Sequence, residues 1–62
     1  MSIGEKIKQA RITKGLTRKQ LSDSIGITEG GLFKIEKDER SPMFETVEKI
    51  AIVLDISLDS LR

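Results

Sequence analysis

Apolar residues along this chain recur every three or four positions, and no segment alternates apolar and polar residues for long enough to mark a strand. The pattern predicts helices throughout. Ile3, Ile7 and the Ala10–Arg11 step share one face of a first helix expected over Ile3–Lys14. Ser2 and Glu5 have the spacing of a capping box, and Gly15 stands where a left-handed residue ends a helix. A second helix is expected over Arg18–Ile25, opened by a Thr17/Gln20 capping box and burying Leu21 and Ile25. Ser22, being small, suits close approach of the next helix. Gly26 makes a turn and Ile27 points inward. Thr28 then caps a third helix from Glu29 to about Lys37, whose buried pair is Leu32 and Ile35. Gly30 and Gly31 each cost this helix about 1 kcal/mol in propensity. Either its surface wants little bulk there or the helix is simply weak, and the sequence leaves both readings open. After a polar loop over 38–41, Ser41 and Pro42 read as the cap and first turn of a fourth helix. Its apolar face is Phe44, Val47, Ile50, Ala51 and Leu54, and Asp55 ends it. Ile56 packs back, and Ser57 caps a short fifth helix holding Leu58 and Leu61.

Two short capped helices around a Gly-centred turn, from Leu16 to Glu36, have the form of a helix-turn-helix. That device holds one helix out for the DNA major groove. With 62 residues the chain is expected to form one domain, spanning 1–62. A domain this small buries only about 60% of its unfolded surface, so it relies on helix packing, helped by dimerisation. There is no cysteine and no histidine, which removes disulfides, thiolate metal sites and imidazole catalysis. No tyrosine and no phosphate-binding glycine loop remain to build an active site, so no enzyme, cofactor, metal or small-molecule substrate is expected. No apolar run is long enough to span a membrane, and the first residues lack the marks of a signal peptide; a cytoplasmic protein is the default. The net charge is only +1, but it is unevenly spread. Residues 1–40 carry nine Lys/Arg against six Asp/Glu, and residues 41–62 carry two against four. The half with the helix-turn-helix is the positive half.

The chain resembles the lambda-repressor-like, XRE-type (Cro/CI) helix-turn-helix family from Ile3 to Leu61. The matching pieces run in order: Ile3-Gly4-x-x-Ile7-Lys8-x-x-Arg11, Lys14-Gly15-Leu16-Thr17, Gln20-Leu21, Ile25-Gly26-Ile27-Thr28, Ile35-Glu36, Arg40-x-Pro42, Glu45-Thr46 and Leu54-x-Ile56-Ser57-Leu58. The resemblance implies an all-α, compact five-helix domain acting as a DNA-binding transcriptional regulator, most often a repressor, and binding as a homodimer. It also implies that Arg11 and Glu36 pair in a partly buried salt bridge. Losing one partner of such a bridge strands a charge. The chain departs from the family habit at Asp38 and Glu39, where a glycine and a basic residue are common, at Met43, where a small hydroxyl cap is usual, and at Asp55, where glycine is frequent. Two acids beside a phosphate path are unfavourable unless turned away.

On the same resemblance, the first turn of the third helix meets base edges. Thr28, Glu29, Gly30, Phe33 and Lys34 are the expected base-contacting residues, Glu29 accepting from cytosine and Lys34 donating to guanine. Phe33 would reach thymine methyls or sugars, or else cover the domain's own surface. Thr17, Arg18 and Lys19 at the start of the second helix, with Gly31, Lys37 and Arg40, are the expected phosphate contacts; they add affinity and no sequence information. Dimer contacts are expected near the fourth and fifth helices, with Phe44, Leu58 and Leu61 as candidates that the core needs equally. A second reading keeps the fold but makes it a protein-interaction module, docking a partner on the third helix and Phe33. Salt dependence separates the two, because DNA binding weakens steeply with salt.

Overall fold

The computed structural model describes residues 2–61, which form four α-helices and one 3-10 turn: α1 (Ile3–Lys14), α2 (Arg18–Ile25), α3 (Glu29–Glu36), α4 (Phe44–Leu54) and the turn Leu58–Leu61. Met1 and Arg62, the outer limits of the expected domain, lie outside the described residues. The first three helices start as their caps dictate. Ser2, Thr17 and Thr28 sit in extended backbone, and each side-chain oxygen accepts the N–H three residues on. Thr17 and Gln20 complete a reciprocal capping box. Ser2 and Glu5 make only half of one: Ser2 Oγ takes the Glu5 N–H, while the Glu5 carboxylate accepts from Gln9.

α1, α2 and α4 are each followed directly by a residue with positive φ, Gly15, Gly26 and Asp55; α3 turns one residue later, after Lys37, at Asp38. The next N–H then reaches back five residues, from Leu16 to Arg11, Ile27 to Ser22, Glu39 to Lys34 and Ile56 to Ala51. This closure satisfies the last carbonyls and turns the chain sharply. It also aims Leu16, Ile27 and Ile56 back onto the core, where all three pack half-buried.

Three expectations are corrected. Phe44, expected on the apolar face of the fourth helix, is 65% exposed at its first position. The fourth helix begins at Phe44, not at Ser41-Pro42; Met43 occupies the cap position and offers no side-chain hydrogen bond. Starting there sets Val47, Ile50, Ala51 and Leu54 inward together, so packing of the apolar face outweighs the local capping signal. The fifth helix is a single 3-10 turn, with the Ser60 N–H donating to Ser57 Oγ. Four residues give too few bonds for an α-helix. Leu61 is 1% exposed and belongs to the core, not to a free dimer surface.

The core gathers Ile7, Leu21, Ile25, Leu32, Ile35, Val47, Ile50, Ala51, Leu54 and Leu61 from every element. α2 packs on α3 and α4, and α1 on α3, α4 and the 3-10 turn. Gly4 lets the start of α1 close against the end of α3. A Cβ there would fall 2.8 Å from the Glu36 carbonyl oxygen and closer still to that of Ile35. Asp38 clasps the same junction: its carboxylate accepts from Ser2 Oγ and from the Gly4 N–H at 3.1 Å. One of the two loop acids is thus turned inward, onto the positive end of α1.

Candidate nucleic-acid interface

α3 is divided lengthwise. Gly31, Leu32, Ile35 and Glu36 are buried, while Glu29, Gly30, Phe33, Lys34 and Lys37 form an exposed strip. The division follows from the helical repeat once Leu32 and Ile35 enter the core. Thr28 stands at the head of this strip, its Oγ1 accepting from the Gly31 N–H at 2.9 Å. The N–H groups of Glu29 and Gly30 point out of the helix start. At α2 the corresponding outward groups are the N–H of Arg18 and of Lys19, since the Gln20 N–H is taken by Thr17 Oγ1.

The two glycines of α3 differ. Around Gly30 an added Cβ would meet no atom within 4 Å, so nothing in the domain calls for glycine there. At Gly31 a Cβ would come within 3.0 Å of Thr28 Oγ1 and 3.4 Å of Arg40 Nη1. Arg40 therefore folds back from the loop to the first turn of α3, beside Thr28.

A charged hub holds α3 to its neighbours. Arg11 on α1 donates from Nε to Glu36 Oε2 at 2.8 Å and from Nη2 to Oε1 at 3.3 Å, and its Nη1 donates to the Leu16 carbonyl. Arg11 and Glu36 are 7% and 4% exposed, and no buried side-chain polar atom among the described residues lacks a partner. Arg18 joins the same carboxylate, Nε to Oε1 at 3.2 Å, with its side chain about one-third exposed. One carboxylate thus ties α1, α2 and α3 together and fixes the angle at which α3 is presented. The charges leave one positive charge over, and it lies on the outer member, Arg18.

The Arg18 guanidinium also lies over the Phe33 ring, 4.9 Å from its centroid, and Lys37 Nζ lies 5.1 Å from the same centroid. Phe33 is 41% exposed. Its ring is overlain by cations, which makes this part of the surface basic and not greasy. Lys34 lies exposed on the same strip, while Lys19 pairs loosely with Asp23 at 3.6 Å along the outer side of α2. The structure brings Thr28, Glu29, Gly30, Phe33 and Lys34 onto one face, with Thr17, Arg18 and Lys37 at one border and Arg40 at the other. Sequence reasoning missed the attachment of Arg18 to Glu36 and Phe33. The Phe33–Lys37 spacing of four was visible as a helical pair; the approach of Arg18 depends on how α2 and α3 dock.

Residues 7–61 match a family model described as helix-turn-helix. The HTH-type transcriptional regulator SinR of Bacillus subtilis is 35% identical over 60 residues, covering 95% of this chain and 54% of that protein. The SPbeta prophage-derived HTH-type transcriptional regulator YonR, from the same organism, is 34% identical over 58 residues, covering 94% and 54%. The chain spans about half the length of the curated relatives it matches. Among solved structures, SinR in complex with DNA superposes with a TM-score of 0.88 at 35% identity, covering 95% of both chains. The restriction-modification controller protein C.AhdI from Aeromonas hydrophila superposes with a TM-score of 0.91 at 25% identity, covering 97% of this chain and 91% of that one.

Proposed function

Since the chain belongs to the helix-turn-helix family, we propose that it is the DNA-binding domain of a transcriptional regulator, most often a repressor in its mode of action, acting in the cytoplasm on double-stranded DNA. The observation that carries the reading is the exposed strip of α3, held at a fixed angle by the Arg11–Glu36–Arg18 hub and bordered by cations on both sides. α3 enters the major groove. Glu29 and Lys34 address base edges, with Thr28 and Gly30 at the point of closest approach. Arg18, Lys19 and the free N–H groups at the head of α2 contact one phosphate strand, with Thr17 beside them; Lys37 and Arg40 supply further contacts, while Gly31, expected among them, is buried with its N–H held by Thr28 Oγ1.

Two copies bind half-sites about one helical turn apart, ~34 Å. Their contact falls on the outer side of α4, where Phe44 and Ile52 are exposed and Leu58 is half-buried at the edge. The likeness to SinR, solved on DNA, supports the DNA-binding reading.

Selection from a random duplex library, followed by titration of the winner at two salt concentrations, tests it. The expected result is an enriched palindrome whose binding falls steeply with salt and is lost in an Arg18→Ala/Lys34→Ala double mutant. No enrichment, with weak and salt-insensitive binding to every duplex, sinks the reading and moves attention to a protein ligand of α3.

A further inference from the structure

Phe33 is an expensive residue to leave on a surface, and the core does not use it. It lies on the exposed strip of α3 and outside the buried cluster. What it does touch is unusual: two cations delivered by different elements. Lys37 comes from one turn further along the helix, and Arg18 from the first turn of α2. Both distances to the ring centroid fall inside the range, about 6 Å, over which an aromatic face attracts a cation. Long basic side chains at exposed helix ends otherwise spread over many rotamers, and ordering them on a ligand costs affinity.

We propose that Phe33 is a positioning residue: its ring holds Arg18 and Lys37 in place as a two-cation clamp on the phosphate backbone, and it reads no base itself. This rests on the DNA-binding reading above. The charges agree with it. Arg11 already balances Glu36 from the buried side, so Arg18 keeps its charge for an outside anion. Lys37 takes part in no ion pair among the described residues. The clamp therefore joins the start of α2 to the end of α3, along one border of the strip, and leaves base reading to Glu29 and Lys34. A leucine at this position supplies apolar cover but no π face, whereas a tyrosine keeps the face. That contrast separates positioning from mere covering.

The probe is a pool of random-sequence 20-base-pair duplexes, bound by the full chain and read by fluorescence anisotropy across a salt series. The expected result is that Phe33→Leu, folded by its melting curve, binds the pool about tenfold more weakly at low salt. The slope of log affinity against log salt falls by about 1–2, roughly 0.9 for each phosphate contact released. Phe33→Tyr stays within about twofold of the parent chain, the range its retained π face predicts. Sequences enriched from the library are the same for all three proteins. Should Phe33→Leu melt early, Phe33→Met is read in its place. An unchanged salt slope in a folded, ring-free variant overturns the clamp, and a changed enrichment at a base position makes Phe33 a reader instead. A parent chain that binds no duplex overturns the DNA-binding reading and the clamp with it; a parent chain that binds alongside an unaffected variant overturns the clamp alone.

Discussion

At Gly4 a methyl group has nowhere to go, because backbone carbonyls of α3 fill the space. Gly4→Ala is expected to lower unfolding stability by about 1–3 kcal/mol, the usual cost of overpacking a rigid site. The same change at Gly30 meets open space and gains helix propensity, so Gly30→Ala is expected to raise stability by up to about 1 kcal/mol. Urea denaturation of the two variants checks the opposite signs. If Gly30→Ala stabilises the domain while weakening the selected duplex, the gap in the strip serves the groove and not the fold. Glu36 is the other decisive residue. Removing it strands Arg11 in a buried site, and Glu36→Ala is expected to cost about 3–5 kcal/mol. That is a large share of the whole stability of a domain this size, about 3–9 kcal/mol, so thermal unfolding should show a melting temperature lowered by roughly 12–40 °C. Arg18→Ala removes an arm of the same hub that is about one-third exposed, while Arg11 still balances the carboxylate; its cost should stay within about 1 kcal/mol.

Helix boundaries were legible wherever the signal was local. Ser2, Thr17 and Thr28 start their helices, and Gly15 and Gly26 end theirs, because capping and left-handed turns need only neighbouring residues. The signal failed at α4, where Ser41-Pro42 offers a plausible start that packing overrules, and at the final turn, where a cap is followed by too few residues to make an α-helix. It also hid the role of Asp38. Its acidic side chain looked like an obstacle beside a phosphate path; in the fold it adopts positive φ and ties α1 to the loop after α3, a contact between residues 34 and 36 positions apart that no local pattern encodes. Asp38 and Asp55 share the same backbone conformation and diverge in what their side chains do. Asp55→Gly should relieve strain and raise stability by about 0.5–1 kcal/mol. Asp38→Gly should bring no gain, since the relief is offset by the lost clasp on Ser2 and Gly4, worth about 1–2 kcal/mol. Differential scanning calorimetry of the pair checks the contrast.

Taken whole, the molecule separates its surfaces. The cationic border and exposed strip lie on α2 and α3, and the exposed apolar side chains Phe44 and Ile52 lie on α4. The uneven charge along the chain foreshadowed the first; the second emerged only once the core had claimed Val47, Ile50, Ala51 and Leu54 and left Ile52 outside at 78% exposure. Ile52→Lys is expected to leave the melting temperature nearly unchanged and to shift sedimentation toward the monomer, with cooperative binding to a palindrome lost; unchanged sedimentation would move the dimer contact elsewhere. The core is also completed late in the chain. Leu61 is among its most deeply buried members and packs beside Ile3, from the opposite end of the sequence. Synthesis is vectorial, and at about 5–20 residues per second the ribosome needs roughly 3–12 s to go from one to the other. For that interval α1 lacks the side chain that seals it, and α3 lacks a finished scaffold. Nascent chains stalled short of Leu61 should therefore not compete with the folded domain for duplex DNA.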